Sequence, residues 1–340
     1  MKEKQNPLRK MMAARGVGQV ITVTIGLIVL CIVFAIINPN FFRTKNIGIL
    51  LRQIAPILII GIGQSYVLIT GNIDLSIGSV IGMSCMISAT MMVKGYNPIL
   101  VCLITYVFCL VVGFVNGTLV AKFKLPPFIA TLGTMTIARG IAQIVNGNYN
   151  TDAIGDAAQG FRNFFYYGKT LLLFNTVWIA VVLFLVFNFI LAHTRSGRHI
   201  YAIGSNIDAA RLSGVNVFAT TTKAYLVSAF CACTVGLITT ATSGMGSMDA
   251  GTGYEMYAVA ASVIGGVSTL GGTGILIGTV VGAAIWAVLQ NGLQFANAPV
   301  AIRNIIIGVI VVVSVLMDVV LRSGNKTHKV RVAKEEKAGK

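Results

Sequence analysis

An all-α polytopic membrane protein is the fold class that this sequence predicts, and three observations lead to it. Of the 340 residues, 56% are hydrophobic and only 11% are charged. Soluble domains average about 25% charged residues, so this composition cannot cover a water-facing surface. Apolar runs of about 20 residues, the length that a transmembrane helix needs, recur along the whole chain. Polar residues concentrate in short stretches between these runs.

Ten apolar segments are candidate transmembrane helices. They are residues 17–37, 47–70, 76–93, 98–121, 127–147, 170–193, 219–243, 256–270, 274–296 and 300–321. Basic residues precede the first segment, as in a signal peptide, but its length and the lack of an A-x-A cleavage pattern favour a retained helix. The third, fifth and eighth segments need not cross the whole bilayer. The eighth carries Gly265-Gly266, a pair that could break it.

The charge distribution predicts the orientation. The 26 Lys and Arg residues exceed the 10 acidic residues by 16, and most lie in four places: the tails 1–16 and 322–340, Lys122 to Lys124, and the 194–223 loop. Ten spans place these four on one side of the membrane. Basic loops favour the cytoplasm, so both termini are expected there. The same distribution explains the positive charge without nucleic acid, and lipid is the expected surrounding.

We expect residues 1–340 to form a single transmembrane domain of two five-helix repeats, 17–165 and 166–321. Because five is odd, the second repeat must enter the membrane from the opposite side, a pattern common in transporters. Two features match across the halves. They are the G-x-x-x-G motifs Gly113–Gly117 and Gly278–Gly282, and the Gly-rich acidic turns 71–79 and 243–255. Chance is the alternative, because G-x-x-x-G is a frequent packing motif in membrane helices.

The motifs of ATP binding and hydrolytic catalysis are absent. The Gly-rich stretch 265–274 lacks the Lys of a phosphate-binding loop. No Ser/His/Asp or H-E-x-x-H arrangement occurs, so the chain is not expected to be an enzyme. All six cysteines fall in apolar runs, and Cys231-Ala-Cys233 has no matching pair. We interpret them as small buried thiols and expect no metal and no cofactor.

The loop of residues 194–218 carries the signals of a short helix. Ser205 and Asn206 are good N-caps, and Asp208 falls in the first turn, where the helix dipole favours an anion. Gly214 is placed as a C-terminal cap. Ala209, Ala210 and Leu212 give the helix a small apolar surface. This surface would dock onto a cytoplasmic partner or lie at the lipid interface, and the pattern does not choose between the two.

Polar residues within the apolar runs are candidates for a substrate path. Asn72, Asp74 and Ser76 would cap the third span, line the path, or do both. The other candidates are Asn116, Thr131, Arg139, Glu255 and Asn291. For the amide and hydroxyl groups the alternative is hydrogen bonding between helices. Arg139 could snorkel to the interface or pair with an acid such as Asp74.

Four segments, 71–80, 125–140, 196–215 and 251–274, closely resemble hallmark segments of the ribose/xylose/galactoside-type permeases of bacterial ABC sugar importers. The resemblance spans nearly the whole chain in the same order. It implies an inner-membrane subunit that pairs with a second permease copy or a related chain. It also implies a cytoplasmic ABC ATPase and a periplasmic or lipid-anchored sugar-binding protein as partners.

Residues 196–215 resemble the family's ATPase-coupling loop, which favours docking for this segment. The positions carried over are Gly197, Arg198, Gly204, Asn206, Asp208, Ala209, Arg211 and Gly214. The chain departs from many relatives at Asn72, where they have Gly, and at Tyr257, where they have Asp. The expected function is import of a ribose-, xylose- or galactose-like monosaccharide, with ATP hydrolysis in a separate chain. An ion-coupled secondary transporter is the alternative, and it would need Asp74 and Glu255 as its ion site.

Overall fold

The computed structural model describes residues 17–303 and, beyond them, 305–306, 308–310, 312–313 and 315–316. The predicted tails 1–16 and 322–340 lie outside these residues. The helices are α1 Val17–Ile37, α2 Thr44–Ile69, α3 Ile77–Val93, α4 Pro98–Ala121, α5 Pro127–Ile144, α6 Gln159–Arg162, α7 Asn175–His193, α8 Arg195–Ser205, α9 Ile207–Leu212, α10 Val217–Ser243, α11 Tyr254–Ile264 and α12 Leu276–Phe295. The strands β1 Lys169–Thr170 and β2 Leu173–Phe174 pair as an antiparallel hairpin.

Six of the described helices are long and apolar enough to cross a membrane: α1, α2, α4, α7, α10 and α12. The segments predicted as the third, fifth and eighth spans form α3, α5 and α11, with 17, 18 and 11 residues. The described residues between Val300 and Ile310 are helical as well. The chain is therefore a multi-pass helical membrane protein that combines full-length spans with shorter apolar helices.

Two long helices, α2 and α10, form the centre of the molecule. They pack against each other and are surrounded by α3, α4, α11 and α12. Glycines allow the backbones to approach closely. A side chain at Gly63 of α2 would lie 2.8 Å from the Ser228 Cα of α10, and one at Gly117 of α4 would lie 2.6 Å from the Thr222 Cα. Small residues at such crossings let dispersion contacts hold membrane helices together.

The helix pairs of the two halves correspond. α4 packs on α10 and α12 packs on α2, while α3 packs on α10 and α11 packs on α2. The two G-x-x-x-G motifs do not follow this correspondence. Gly113 and Gly117 face α10, in the other half of the chain, whereas Gly278 and Gly282 face Gly265 and Ala261 in their own half. The motifs thus serve close packing in both halves, but on different partners.

The bundle has two ends, which we name by what lies there. The hairpin face contains residues 150–174, where Arg162 and Tyr167 donate hydrogen bonds to the last carbonyls of α10. The α8–α9 face contains α8 and α9, which follow directly after α7. α2 ends at this second face, because the carbonyl of Ile69 accepts a hydrogen bond from Gly272 beside Gly204.

Two chain segments fold back into the bundle after a long helix ends. The first break, residues 70–76, follows α2, turns at Gly71 with φ +79°, and leads to the start of α3. The second break, residues 244–253, follows α10 and leads to the start of α11. The N-termini of α3 and α11 meet, because Gly251 lies against Gly78. From there α3 runs toward the hairpin face and α11 toward the α8–α9 face.

Candidate functional site

A buried carboxylate organises the first break. Asp74 is 2% exposed, and its Oδ1 accepts hydrogen bonds from the Ser76 backbone N–H (2.9 Å) and hydroxyl (2.6 Å). Its Oδ2 accepts one from Ser228 Oγ (2.7 Å), near the midpoint of α10. The side chain therefore satisfies a free N–H at the start of α3 and ties the break to the central helix. No Lys or Arg of the described residues bonds to Asp74.

The network continues through two more helices. Asn116 of α4 donates its Nδ2 hydrogen to Ser76 Oγ (3.0 Å) and accepts at Oδ1 from Thr134 of α5 (2.6 Å). Asn116 is fully buried. A connected polar network of this kind, with each member satisfied, fixes the arrangement of the helices that it joins. It joins α4, α5 and α10 to the start of α3.

Three other predicted path residues bond within their own segment or to an adjacent helix. Thr131 donates to the Pro127 carbonyl of its own helix, and Asn72 donates to Thr70 Oγ1. Asn291 of α12 exchanges amide hydrogen bonds with Asn46 of α2, at 3.0 and 3.2 Å. The Asn291 contacts are hydrogen bonds between helices.

Arg139 holds the second break. Its Nη1 donates to the carbonyls of Met248 and Ala250, and its Nη2 approaches the Gly78 carbonyl at 3.4 Å. Arg139 therefore neither snorkels nor pairs with Asp74. A guanidinium has five N–H donors in a fixed fork, so it can satisfy several carbonyls that no helix pairs.

Arg139 and Glu255 lie where the two breaks meet. Glu255 is in the first turn of α11, beside Gly78, and both Glu255 and Asp249 attract the Arg139 charge. Arg139 and Glu255 are half-buried, unlike Asp74. These two charged groups at the meeting point are therefore only partly buried, and Asp249 in the second break is exposed.

The helix predicted in the 194–218 loop is present as α9. Asn206 Oδ1 accepts hydrogen bonds from the N–H groups of Asp208 and Ala209, and Gly214 ends the turn with φ +81°. A second helix, α8, was not predicted from the sequence; Thr194 caps it by accepting a hydrogen bond from the Gly197 N–H. Ser205 is the last residue of α8 rather than an N-cap. The spacing of Ile200 and Ile203, three residues apart, was the sequence signal for this helix. Both side chains are buried.

α8 packs against the end of α2, just before the first break, and against the loop that follows α11. A side chain at Gly204 would overlap the Ile69 carbonyl and lie 2.5 Å from Gly272 N. Tyr201 donates its hydroxyl to the Gly274 carbonyl at 2.6 Å. Burial raises the pKa of Tyr201 to about 12, so this donor keeps its proton. The end of α2 and the loop after α11 are therefore both in contact with α8.

α9 presents an exposed surface beyond this junction. Leu212 is 90% exposed, and Ile207 and Ala209 are exposed as well, whereas Ala210 is buried against the chain. Asp208 and Arg211 approach to 3.8 Å at the rim, where so exposed a pair contributes little stability. Arg198 of α8 is also exposed. An exposed leucine rimmed by charges suits a protein–protein contact.

Comparisons with known proteins identify the family of this chain. Residues 46–315 match the family described as branched-chain amino acid transport system / permease component. A ribose import permease protein of Bacillus subtilis is 36% identical over 89% of this chain and 94% of its own length. The ribose import permease protein of Haemophilus influenzae is 37% identical over 86% and 91%.

A D-allose transport system permease protein of Escherichia coli is 31% identical over 86% of this chain and 89% of its own length. No solved structure matches the chain. The family match covers most of the sequence, from α2 to beyond α12, and so includes both breaks and the α8–α9 face. The chain therefore belongs to the branched-chain amino acid transport system permease component family.

Proposed function

We propose that this chain is the transmembrane permease subunit of an ATP-driven ABC importer that carries a ribose-, xylose- or galactose-like monosaccharide across the bacterial inner membrane. The relatives that support this proposal are import permeases for ribose and D-allose. One structural observation carries the coupling mechanism: α8 lies against both the end of α2, which leads into the first break, and the loop that follows α11. ATP hydrolysis belongs to a separate chain.

The α8–α9 face is the dock for the ATPase in this proposal. Leu212 and Ile207 would enter a pocket of the ATPase, with Asp208 and Arg211 at the rim. With this face cytoplasmic, both termini lie in the cytoplasm, as the basic loops predict. A sugar-binding protein would deliver the solute at the hairpin face. A second copy of this chain, or a related chain, would complete the path.

Movement of α8 would reach the solute path through two contacts. The Gly204 contact acts on the end of α2 and thus on the first break, while Tyr201 acts on the loop after α11. Both routes lead to the meeting point of α3 and α11 at Gly78 and Gly251. Alternating separation of these half-helices toward one face and then the other is the mechanism we propose.

Sugar hydroxyls need hydrogen-bond partners along the path, and we assign that role to Arg139 and Glu255. Both are half-buried at the meeting point of the breaks. Asp74, Ser76 and Asn116 are the frame that keeps the first break in place, because they bond to one another. The matching helix pairs of the two halves support the inverted repeats 17–165 and 166–321.

The test is co-purification of the tagged chain with Leu212→Asp as the variant and Ser213→Asp as its control. Both positions are exposed next to each other, so both variants should fold. We expect a two-domain ATPase to accompany the wild type and the control and to be lost with Leu212→Asp. Sugar uptake by the isolated chain in liposomes without ATP would overturn the proposal and favour the ion-coupled alternative.

A further inference from the structure

The hairpin of β1 and β2 has two leucines at its tip, both in a backbone conformation that leucine disfavours. Leu171 has φ +50° and Leu172 has φ +69°. Two-residue turns of this kind normally use Asn-Gly or Gly-Gly, because a Cβ is crowded at positive φ. The side chains are 80% and 95% exposed, so packing within the described part of the chain does not compensate for the strain. Burial of the two side chains against something outside the described residues would compensate for this strain.

A hydrogen bond fixes the side of the bundle on which the tip lies. Trp178 Nε1 donates to the Thr170 carbonyl at 2.8 Å, directly before the two leucines. Trp178 begins a stripe on α7 that continues with Val182, Leu185 and Phe189, at helical spacing. These three side chains are 53%, 59% and 61% exposed. An exposed apolar stripe of this length on a membrane helix is suited to contact with acyl chains.

The residues around the tip have the composition of a membrane interface. The Arg52 guanidinium lies 4.0 Å from the centre of the Phe174 ring and 5.1 Å from that of Tyr166. Lys169 Nζ lies 4.8 Å from the same Phe174 ring. Amphipathic aromatic rings sit at the headgroup level of a bilayer, and long cationic side chains snorkel to it. The tip lies beside this belt, on the side of the α7 stripe.

We propose that Leu171 and Leu172 insert into the bilayer at the hairpin face and anchor the first turn of α7 in the lipid. Lipid burial of the two side chains offsets the strain of their backbone. The Trp178–Thr170 hydrogen bond connects the anchored tip to the first turn of α7. The occupant of this surface is the acyl-chain region of the bilayer.

The test places a nitroxide label at position 172 of the full-length chain, with the six native cysteines replaced, in phospholipid vesicles. A label at Tyr149, 76% exposed in the loop after α5, is the matched control. At position 172 we expect collisions with oxygen to exceed those with a water-soluble nickel chelate several-fold, and at 149 the reverse. Equal nickel collisions at both sites would overturn the proposal. So would a label at 172 that is immobilised only when the soluble sugar-binding protein is added.

A second pair of variants tests whether the leucine side chains hold the tip in lipid or whether the hairpin lies there without them. Leu171→Asp removes the neighbouring apolar side chain, whereas Leu171→Met keeps it. The label at 172 should lose its several-fold oxygen preference in the Asp variant and keep it in the Met variant. An unchanged preference in the Asp variant would show that the leucines do not hold the tip in lipid.

Discussion

The two breaks have equivalent places in the two halves of the chain, but side chains of opposite charge hold them. The first is held by a carboxylate, Asp74, which accepts hydrogen bonds from an N–H and two hydroxyls. The second is held by a guanidinium, Arg139, which donates to carbonyls. The start of a helix leaves N–H groups free, and an irregular loop leaves carbonyls free. The charge at each break thus matches the backbone group that would otherwise be unsatisfied.

The breaks also differ in depth of burial. Asp74 is 2% exposed, whereas Arg139 is half-buried next to Glu255. A buried group acts chiefly on stability, while a half-buried charged group has the proposed role of contacting the solute. We therefore expect substitutions at the first break to unfold the protein and substitutions at the second to alter transport before stability.

The largest effect is expected for Asp74→Ala. It removes three hydrogen bonds and leaves two buried hydroxyls and one N–H without their partner, at a loss of roughly 3 kcal/mol in the free energy of unfolding. Thermal unfolding in detergent, followed by size-exclusion chromatography, measures the change. Asp74→Asn is the control, since it keeps the acceptor for Ser76 and should lose far less. A Tm of Asp74→Ala equal to that of the wild type would contradict the buried-network account.

A smaller loss of stability, about 1–2 kcal/mol, is expected for Arg139→Met, because water can reach the freed carbonyls. The loss should be local. Limited proteolysis should cut within residues 245–253 in this variant while the rest of the bundle resists. Arg139→Lys, which keeps the charge with a single donor group, should be intermediate. Global unfolding at the same Tm as Asp74→Ala would show that the two breaks are not independent.

Tyr201→Phe tests the contact that links α8 to the segment after α11. We expect about 1 kcal/mol loss of stability from the single hydrogen bond, but a larger drop in sugar transported per ATP hydrolysed. Tyr96→Phe, at an exposed tyrosine, is the control. Because the pKa of Tyr201 is raised above its ordinary value of 10.0, the hydroxyl stays protonated and its stabilisation is constant from pH 6 to 9. A transport ratio equal to that of the wild type would remove Tyr201 from the coupling route.

The smallest effect compares two threonines on α5. Thr134→Val removes the donor to Asn116, in the network of the first break, and should lower stability by about 1 kcal/mol. Thr131→Val removes only a bond to the carbonyl of its own helix and should be near neutral. The Tm difference between these variants isolates the part of the network that α5 contributes. Equal Tm values would mean that Asn116 finds another donor.

Local signals in the sequence predicted the features that depend on neighbouring residues. Asn206 and Gly214 bracket α9 because capping is decided within a few residues. Gly265-Gly266 ends α11 as expected, since Gly266 has φ +91°. The segments that were expected to be least able to span a membrane form α3, α5 and α11, and none of the three is among the six described helices that are long and apolar enough to cross it.

Sequence patterns did not predict hydrogen-bond and packing partners that are distant along the chain. Arg139 bonds to carbonyls more than 100 residues away, and carbonyls carry no sequence signal. Ser228 and Thr134 were missed because hydroxyls are common in membrane helices. Thr134 lies three residues after Thr131 on α5, and this spacing was the one available clue. The G-x-x-x-G motifs indicated close packing but not the partner helix, which differs between the halves.

The contact at Gly204 has a mechanical consequence. Backbone meets backbone there, at Ile69 and at Gly272, with no side chain between them to compress or change rotamer. Since Gly272 also donates to the Ile69 carbonyl, the end of α2 and the segment after α11 are bonded to each other. A displacement of α8 would therefore act on the end of α2 and on the segment after α11 at the same time, and through them on α3 and α11. In the proposed mechanism, the end of α2 and the segment after α11 would therefore move as one unit when α8 is displaced.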